Sequence, residues 1–267
     1  MQIDAGRFTV RLAASEEDVA AAQRLRYRVF VEEMGAKTSA ASAADRRECD
    51  RFDPYFEHLL LIDTECEDPD KPGGVVGVYR LMRGAKARTG IGFYGASEYD
   101  LSRLDAYPRE TLELGRSCVD ADYRGGAGMH LLWSGLGAYV VEHEIGLMFG
   151  VASFHGTETA PIAQALSYLH HMHLAPEDLR VRARPESFAE MALLPREEVD
   201  KAVALRQMPT LMKGYIRIGG YVGEGAFIDW EFNTVDVCLL MDTARMVQSV
   251  RKFYSRKRGG SVDRILG

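Results

Sequence analysis

The stretch ELGRSCVDADYRGGAG, Glu113 to Gly128, joins a strand-like run to a glycine turn where a helix begins. Glu113 and Arg116 stand three apart within the strand TLELGRSCV, Thr111 to Val119. Side chains three apart on a strand point to opposite faces unless a bulge intervenes. Two charges in a run that is otherwise apolar at Leu112, Leu114 and Val119 must find partners. A buried ion pair is one solution. The other is a carboxylate placed to take a proton from a nucleophile. Downstream, RGGAG (Arg124–Gly128) leaves bare backbone amides at a helix start, a setting that favours an anion such as a phosphate. The P-loop pattern G-x-x-x-x-G-K-[ST] is absent, and a plain tight turn is the competing explanation.

Outward from this corner, the pattern predicts alternating strands and helices. FTVRLA (Phe8–Ala13) alternates as a strand, and Ser15 with Asp18 resembles a capping box opening an amphipathic helix to about Phe30. Residues 35–51 are rich in Ala, Ser and charge without a period, and are expected to form a long mobile loop. HLLLID (His58–Asp63) and GVVGVYRLM (Gly74–Met82) read as a hairpin around DPDKPGG. After the glycine corner come a helix to about Glu144, a buried strand LMFGVASF (Leu147–Phe154) and a helix near Thr159 with Pro161 in its first turn. A charged helix (Pro195–Arg206) and a last strand TVDVCLLMD (Thr234–Asp242) complete the pattern. The order β-α-β-β-β-α-β-α-β implies an α/β domain with a mixed sheet and helices on both faces.

With 267 residues, the chain is long enough for one large domain, expected to span 1–267. A formal net charge of −6 argues against general nucleic-acid binding. Cys49, Cys66, Cys118 and Cys238 form no C-x-x-C pair, which suits a reducing cytoplasm. The N-terminus lacks a basic region followed by an apolar run, and no apolar stretch is long enough to span a bilayer. A soluble, cytoplasmic protein is the expectation. The basic tail 250–267, with VRKFYSRKRGG at its start, suggests a peripheral contact with anionic membrane at the inner face, or simply a solvated end.

Four charged patterns then line up. Arg26 and Phe30 give R-x-x-x-F, Asp50 and Asp53 give D-x-x-D, Gly77 and Arg80 give G-x-x-R, and Glu113 and Arg116 give E-x-x-R. In this order and spacing they resemble the signature of the N-acyl homoserine lactone synthases, members of the GNAT acyltransferase superfamily. RGGAG resembles that superfamily's pyrophosphate-binding turn, with imperfect glycine spacing. GVASFHGTE (Gly150–Glu158) and the stretch from Met208 to Met241 resemble the bacterial ornithine lipid acyltransferases and their hemolysin-like relatives. The tryptophan that lactone synthases place shortly after the R-x-x-x-F phenylalanine is missing here, which counts against lactone synthesis.

The resemblance implies a GNAT-like mixed, splayed sheet and an acyltransferase of lipid biosynthesis. It implies transfer of a 3-hydroxyacyl chain from acyl carrier protein to the α-amine of L-ornithine, giving lyso-ornithine lipid. It implies acyl-phosphopantetheine as donor; no bound cofactor and no metal are expected. Glu113 is the first candidate base and Asp50 the second. Arg26, Phe30, Asp53, Arg80, Arg116, Ser153 and His155 are expected to bind substrate, the two arginines Arg80 and Arg116 either gripping a carboxylate or bracing the acidic cluster. Arg124, Gly125, Gly126 and Gly128 are expected at the phosphopantetheine phosphate. The alternatives are the same chemistry on another amino acid such as glutamine, lactone synthesis, or a non-catalytic membrane-binding protein. Cys118 with His155 as base would give covalent catalysis, but a small buried residue is the commoner role for such a cysteine. His170, His171 and His173 in YLHHMH suggest a zinc site, but no further ligand is near in sequence.

Overall fold

Leu59, Leu60 and Leu61 are each 0% exposed although successive strand side chains point to opposite faces. Such a strand needs cover on both sides, and each leucine buried contributes about 1.5–3 kcal/mol. A computed structural model, which describes residues 1–125 and 127–245, shows what supplies that cover. Gly126 and the tail 250–267 lie outside the described residues.

In chain order the elements are β1 (Gln2–Ala5), β2 (Phe8–Leu12), α1 (Glu16–Arg26), α2 (Ala40–Asp45), β3 (Glu57–Asp63), β4 (Val75–Arg83), α3 (Gly84–Thr89), β5 (Tyr99–Asp100), α4 (Ser102–Asp105) and β6 (Glu110–Val119). They continue with α5 (Gly128–Glu142), β7 (Ile145–His155), α6 (Ala163–His173), β8 (Arg182–Ala183), β9 (Phe188–Ala189), α7 (Lys201–Gln207), α8 (Thr210–Arg217), β10 (Tyr221–Val222), β11 (Ala226–Asp229) and β12 (Thr234–Asp242). They fall into two compact units. The first holds Met1–Ile91 and Leu114–Glu144, and the second holds Gly92–Glu113 and the chain from Ile145 onward.

In the first unit β1, β2, β3 and β4 run antiparallel in sequence order, with β6 next to β4. Ala21, Ala22, Leu25 and Val29 pack against Leu60 and Ile62 on one face. α5 covers the other face, where a Cβ added at Gly135 would reach Val10 and Leu59, and one at Gly128 would reach Leu61. Even and odd residues of β3 therefore serve different helices. Ser15 caps α1 by accepting the Asp18 amide, and acids fill its first turn while Arg24 and Arg26 sit in its last, as the helix dipole favours. The helix expected to reach Phe30 instead changes at Arg26 to a π-helical turn, Tyr27–Glu33, in which Met34 N–H donates to the Val29 carbonyl at 3.1 Å. Such turns are common at functional sites.

In the second unit β6 runs parallel to β7 over Glu110–Glu113, so the sheet is mixed. β12 pairs antiparallel with β7 along its whole length, from Thr234 opposite His155 to Asp242 opposite Leu147. β10 and β11 pair with β12, and β9 pairs with β11. α6 packs on α7 and β10.

Three expectations need correction. Segment 35–51 holds α2, because Ser39 accepts the Ser42 amide as a cap and Arg46 ends the helix in the left-handed region at φ 49°. The charged helix is shorter than Pro195–Arg206. Asp200 takes the amides of Ala202 and Val203, and α7 starts there, after a single turn at Arg196–Glu198. β1 was not anticipated from its sequence, and among the described residues it pairs with β2 alone.

Gly74 supports the β3–β4 hairpin with φ 66°, and a Cβ there would overlap the Asp63 carbonyl oxygen. Gly74→Ala is expected to cost about 1–3 kcal/mol, read as a lower urea midpoint. An unchanged midpoint would show that the hairpin relaxes freely.

Candidate active site

Three arginines and three carboxylates meet in the first unit. Arg26 comes from the end of α1, Arg80 from β4 and Arg116 from β6, while the segment after α2 supplies Glu48, Asp50 and Asp53. Arg26 bonds Glu48 through its side chain and donates to the Glu48 carbonyl at 2.8 Å. It also grips Asp53 through two nitrogens at 2.7 and 3.1 Å. Arg80 Nη1 donates to Asp50 and to Asp53, both at 2.8 Å, and its guanidinium stacks 4.3 Å from the Phe56 ring centre. Arg116 Nε donates to Glu48 at 3.1 Å, and its Nη2 lies 3.5 Å from Asp50.

Formally the charges balance. Arg26 and Arg80 are each 0% exposed, so their contacts are with the protein, and for Arg80 this is the bracing geometry. Asp50 is the most accessible of the three carboxylates, with 21% side-chain exposure against 10% for Glu48 and 5% for Asp53. Its other oxygen accepts the amides of Phe52 and Asp53. Phe30, on the π-helical turn, packs against the apolar core beneath α1.

Arg116 sits within β6 in an unusual backbone conformation. Its φ is 49°, in the left-handed region that non-glycine residues rarely adopt. Glu48 was not singled out from the sequence. The signal was present, since ECDRFD places three acids within six residues, but a period-free segment gave no way to tell which would face inward.

Electrostatics follow from this packing. Burial alone would raise the Asp53 carboxyl, but Arg26 and Arg80 outweigh it and hold Asp53 well below its ordinary value. Burial opposes ionisation of Glu48 too, and Arg116 and Arg26 overcome it. The protonated Nε2 of His58 donates to the Asp53 carbonyl, 3.3 Å away, and burial next to Arg26 lowers its pKa from 6.5 to about 4. The unfolded chain therefore takes up this proton first as pH falls from 6.5, and stability is lost down to about pH 4. Asp53 and Glu48, depressed in the folded state, add further loss below the ordinary carboxylate values of 3.8 and 4.5. Thermal melts from pH 7 to pH 4 should show a falling midpoint, and His58→Gln should flatten that slope. An equal slope in both would remove His58 as the cause.

In the second unit Glu113 is 2% exposed. Its two oxygens accept the backbone amides of Tyr94, at 2.8 Å, and Gly95, at 2.6 Å. A Cβ on Gly95 would come within 3.0 Å of Glu113, so glycine allows this close approach. The turn Tyr94–Ser97 was not anticipated as a partner, because its contact with the strand is tertiary. On β7, Ser153 and His155 are exposed and lie opposite Asp236 and Thr234 of β12.

At the glycine corner Gly125 has φ 77°, and Gly128 opens α5 without a side-chain cap. The uncapped end of a helix fifteen residues long leaves amides directed outward, beside the half-exposed Arg124. Arg124 bonds the Val119 carbonyl at 2.8 Å and pairs with Glu33. Gly128 also has a packing role, since an added Cβ would lie 3.2 Å from Leu61 and 3.3 Å from the Tyr123 carbonyl.

Other nucleophile and metal candidates fare differently. Cys118 is buried, and burial pushes its thiol up to about 12, which leaves little thiolate for covalent catalysis. His171 bonds the Leu194 carbonyl at 2.8 Å. Among the described residues, the trio whose possible ligand atoms converge within 4.8 Å is Glu98, Asp229 and Asp236, not the histidines. No described helix is long and apolar enough to cross a membrane.

Residues 25–134, a span that includes Arg26, the acidic segment, Glu113 and the start of α5, match an acetyltransferase (GNAT) domain model. The chain is 51% identical to L-ornithine N(alpha)-acyltransferase from Rhodobacter capsulatus, over 95% of this chain and 96% of that protein. It is 45% identical to the protein of that name from Brucella abortus, over 93% of this chain and 89% of that protein. Among solved structures, the AHL synthase LasI is similar at 15% identity and a TM-score of 0.46, covering 87% of this chain and 89% of that one. This is an acyltransferase that carries a GNAT domain. The chain belongs to the L-ornithine N(alpha)-acyltransferase family.

Proposed function

We propose that this enzyme transfers a 3-hydroxyacyl chain from the phosphopantetheine thioester of acyl carrier protein to the α-amine of L-ornithine, forming lyso-ornithine lipid. The observation that carries the proposal is near full-length similarity, at 40–51% identity, to proteins named for N-alpha acylation of ornithine. In the reaction the neutral amine nitrogen bonds the thioester carbon and the C–S bond breaks. The amine's proton passes to a base, and the departing sulfur is protonated to the free pantetheine thiol.

Glu113 serves as that base in this proposal, with Asp50 as the second candidate. The amide bonds from Tyr94 and Gly95 fix the direction of the Glu113 carboxylate. Arg116 and Arg80 keep the Asp50 carboxylate oriented. The uncapped start of α5 and the Arg124–Gly128 turn receive the phosphopantetheine phosphate. An acidic carrier protein calls for basic residues at the entrance. In LRVRARPE, residues 179–186, Arg182 pairs with Glu224, while Arg180 and Arg184 bond the neutral carbonyls of Ala175 and Ala96 and keep their charge for such a contact. The reaction is placed in the cytoplasm, with peripheral membrane contact where the single-chain product leaves.

The test is purified protein with 3-hydroxyacyl carrier protein or the matching acyl-CoA, offered L-ornithine, L-glutamine and S-adenosylmethionine in turn. Mass spectrometry should find N-alpha-acyl ornithine from the carrier-protein donor. An acylated glutamine, a lactone or no product would overturn the proposal, and equal turnover with acyl-CoA would overturn the donor.

A further inference from the structure

On β12, Thr234 and Asp236 are two residues apart and so share a face. Directly opposite residues of paired strands also share a face, which adds Asp229 of β11, opposite Thr234, and Ser153 and His155 of β7. Glu98 reaches the same place. Carboxylate oxygens of Glu98, Asp229 and Asp236 all lie within 4.8 Å of one another. Glu98 and Asp236 are 5% and 4% exposed, while Asp229 is half-buried and Ser153 and His155 are exposed. The group is thus deep at one side and open at the other.

A second observation points to a ligand. Thr234 is 2% exposed, and its hydroxyl has no hydrogen-bond partner among the described residues. A buried hydroxyl left without a bond is destabilising, so a group arriving there gains by completing it. Three carboxylates so close repel one another, and a cation relieves that repulsion.

We infer that Glu98, Asp229, Asp236 and Thr234 form the pocket for the side-chain ammonium of the amino-acid acceptor, an inference that rests on the proposed N-acyl transfer to ornithine. A primary ammonium has three donors and no acceptor, which suits a ring of carboxylates and a hydroxyl. The pocket also adjoins the proposed base. Glu98 N–H donates to the Gly95 carbonyl at 3.1 Å, closing the turn whose amides hold Glu113. The buried Cys238 thiol, pushed up by burial, feels the charges of both Glu98 and Glu113. One acceptor molecule then offers its α-amine toward Glu113 and its second ammonium toward the trio. Ser153 and His155 line the open side.

The experiment compares L-ornithine with L-norvaline, which has the same carbon chain and lacks the side-chain ammonium. Acyl carrier protein thioester is the donor, and the readout is the ratio of kcat/KM for the two acceptors. Wild type should favour ornithine by tenfold or more. Asp236→Asn, Glu98→Gln and Thr234→Val should each reduce that ratio, the charge-removing pair by at least tenfold. Asp229→Asn, at a half-buried position, keeps the test open should the deeper variants fail to fold. Folded variants whose ratio falls less than threefold would overturn the inference, as would equal use of norvaline and ornithine by wild type. Activity abolished by EDTA and restored by Mg²⁺ or Ca²⁺ would assign the trio to a metal and overturn it as well. Ornithine left unacylated by wild type would instead mark failure of the proposed function itself.

Discussion

Glu113→Gln is expected to lower kcat by about 10²–10⁴-fold, the range typical of losing a general base. The change keeps size but presents one oxygen and one NH₂ where the carboxylate presents two acceptors. One of the two amides at Tyr94 and Gly95 then faces another donor, so the variant should also lose about 1–3 kcal/mol of stability. The two effects separate by pH. As pH rises, more of the acceptor amine is already neutral, and activity of the variant should climb toward that of wild type. The loss of stability should persist at every pH. A pH–rate profile with melts of both proteins checks this. A folded variant with near-normal kcat at neutral pH would pass the base role to Asp50. A variant inactive at all pH values, with no alkaline recovery, would leave Glu113 as the anchor of the 94–97 turn and nothing more.

Arg26→Met should destabilise the protein by about 3–5 kcal/mol, because it leaves Glu48 and Asp53 buried without the guanidinium that both bond. Methionine approximates the volume, so the effect is chiefly one of charge. Adding Asp53→Asn removes one stranded carboxylate and should recover part of the loss, a coupling that a double-mutant cycle reads directly. Arg26→Lys should fall between, since an ammonium cannot reproduce the fork that holds Asp53 through two nitrogens. Urea midpoints check all three. A loss under about 1 kcal/mol in the single variant would mean that water or a rearranged Arg116 solvates the acids.

Much of the fold was legible in the sequence because local periodicity carried it. HLLLID, read as a hairpin strand, lies in β3, and TVDVCLLMD forms β12 with the expected ends, Thr234 and Asp242. Ser15 announced its helix through capping chemistry that needs only neighbours in the chain. The charged motifs were legible too. Arg26, Asp50, Asp53, Arg80 and Arg116 do gather, because charges in apolar strands and helix faces must be paired once buried.

What sequence could not determine were the relations that only distant segments create. Glu48 joins the cluster through contacts with Arg26 and Arg116, 22 and 68 residues away. The positive φ at Arg116 is a backbone conformation that the residue type disfavours, so tertiary contacts must impose it. Glu113 is held by amides eighteen and nineteen residues earlier, in a turn with no sequence signature of its own. The acidic trio follows from strand register, which sets Asp229 opposite Thr234 and Asp236 opposite Ser153. A shift of one residue would turn each of these side chains to the other face. Local propensity and burial pattern thus determined which elements form and which charges turn inward. Register, backbone strain and long-range amides decided which of those charges meet, because their energies exist only after the chain has folded.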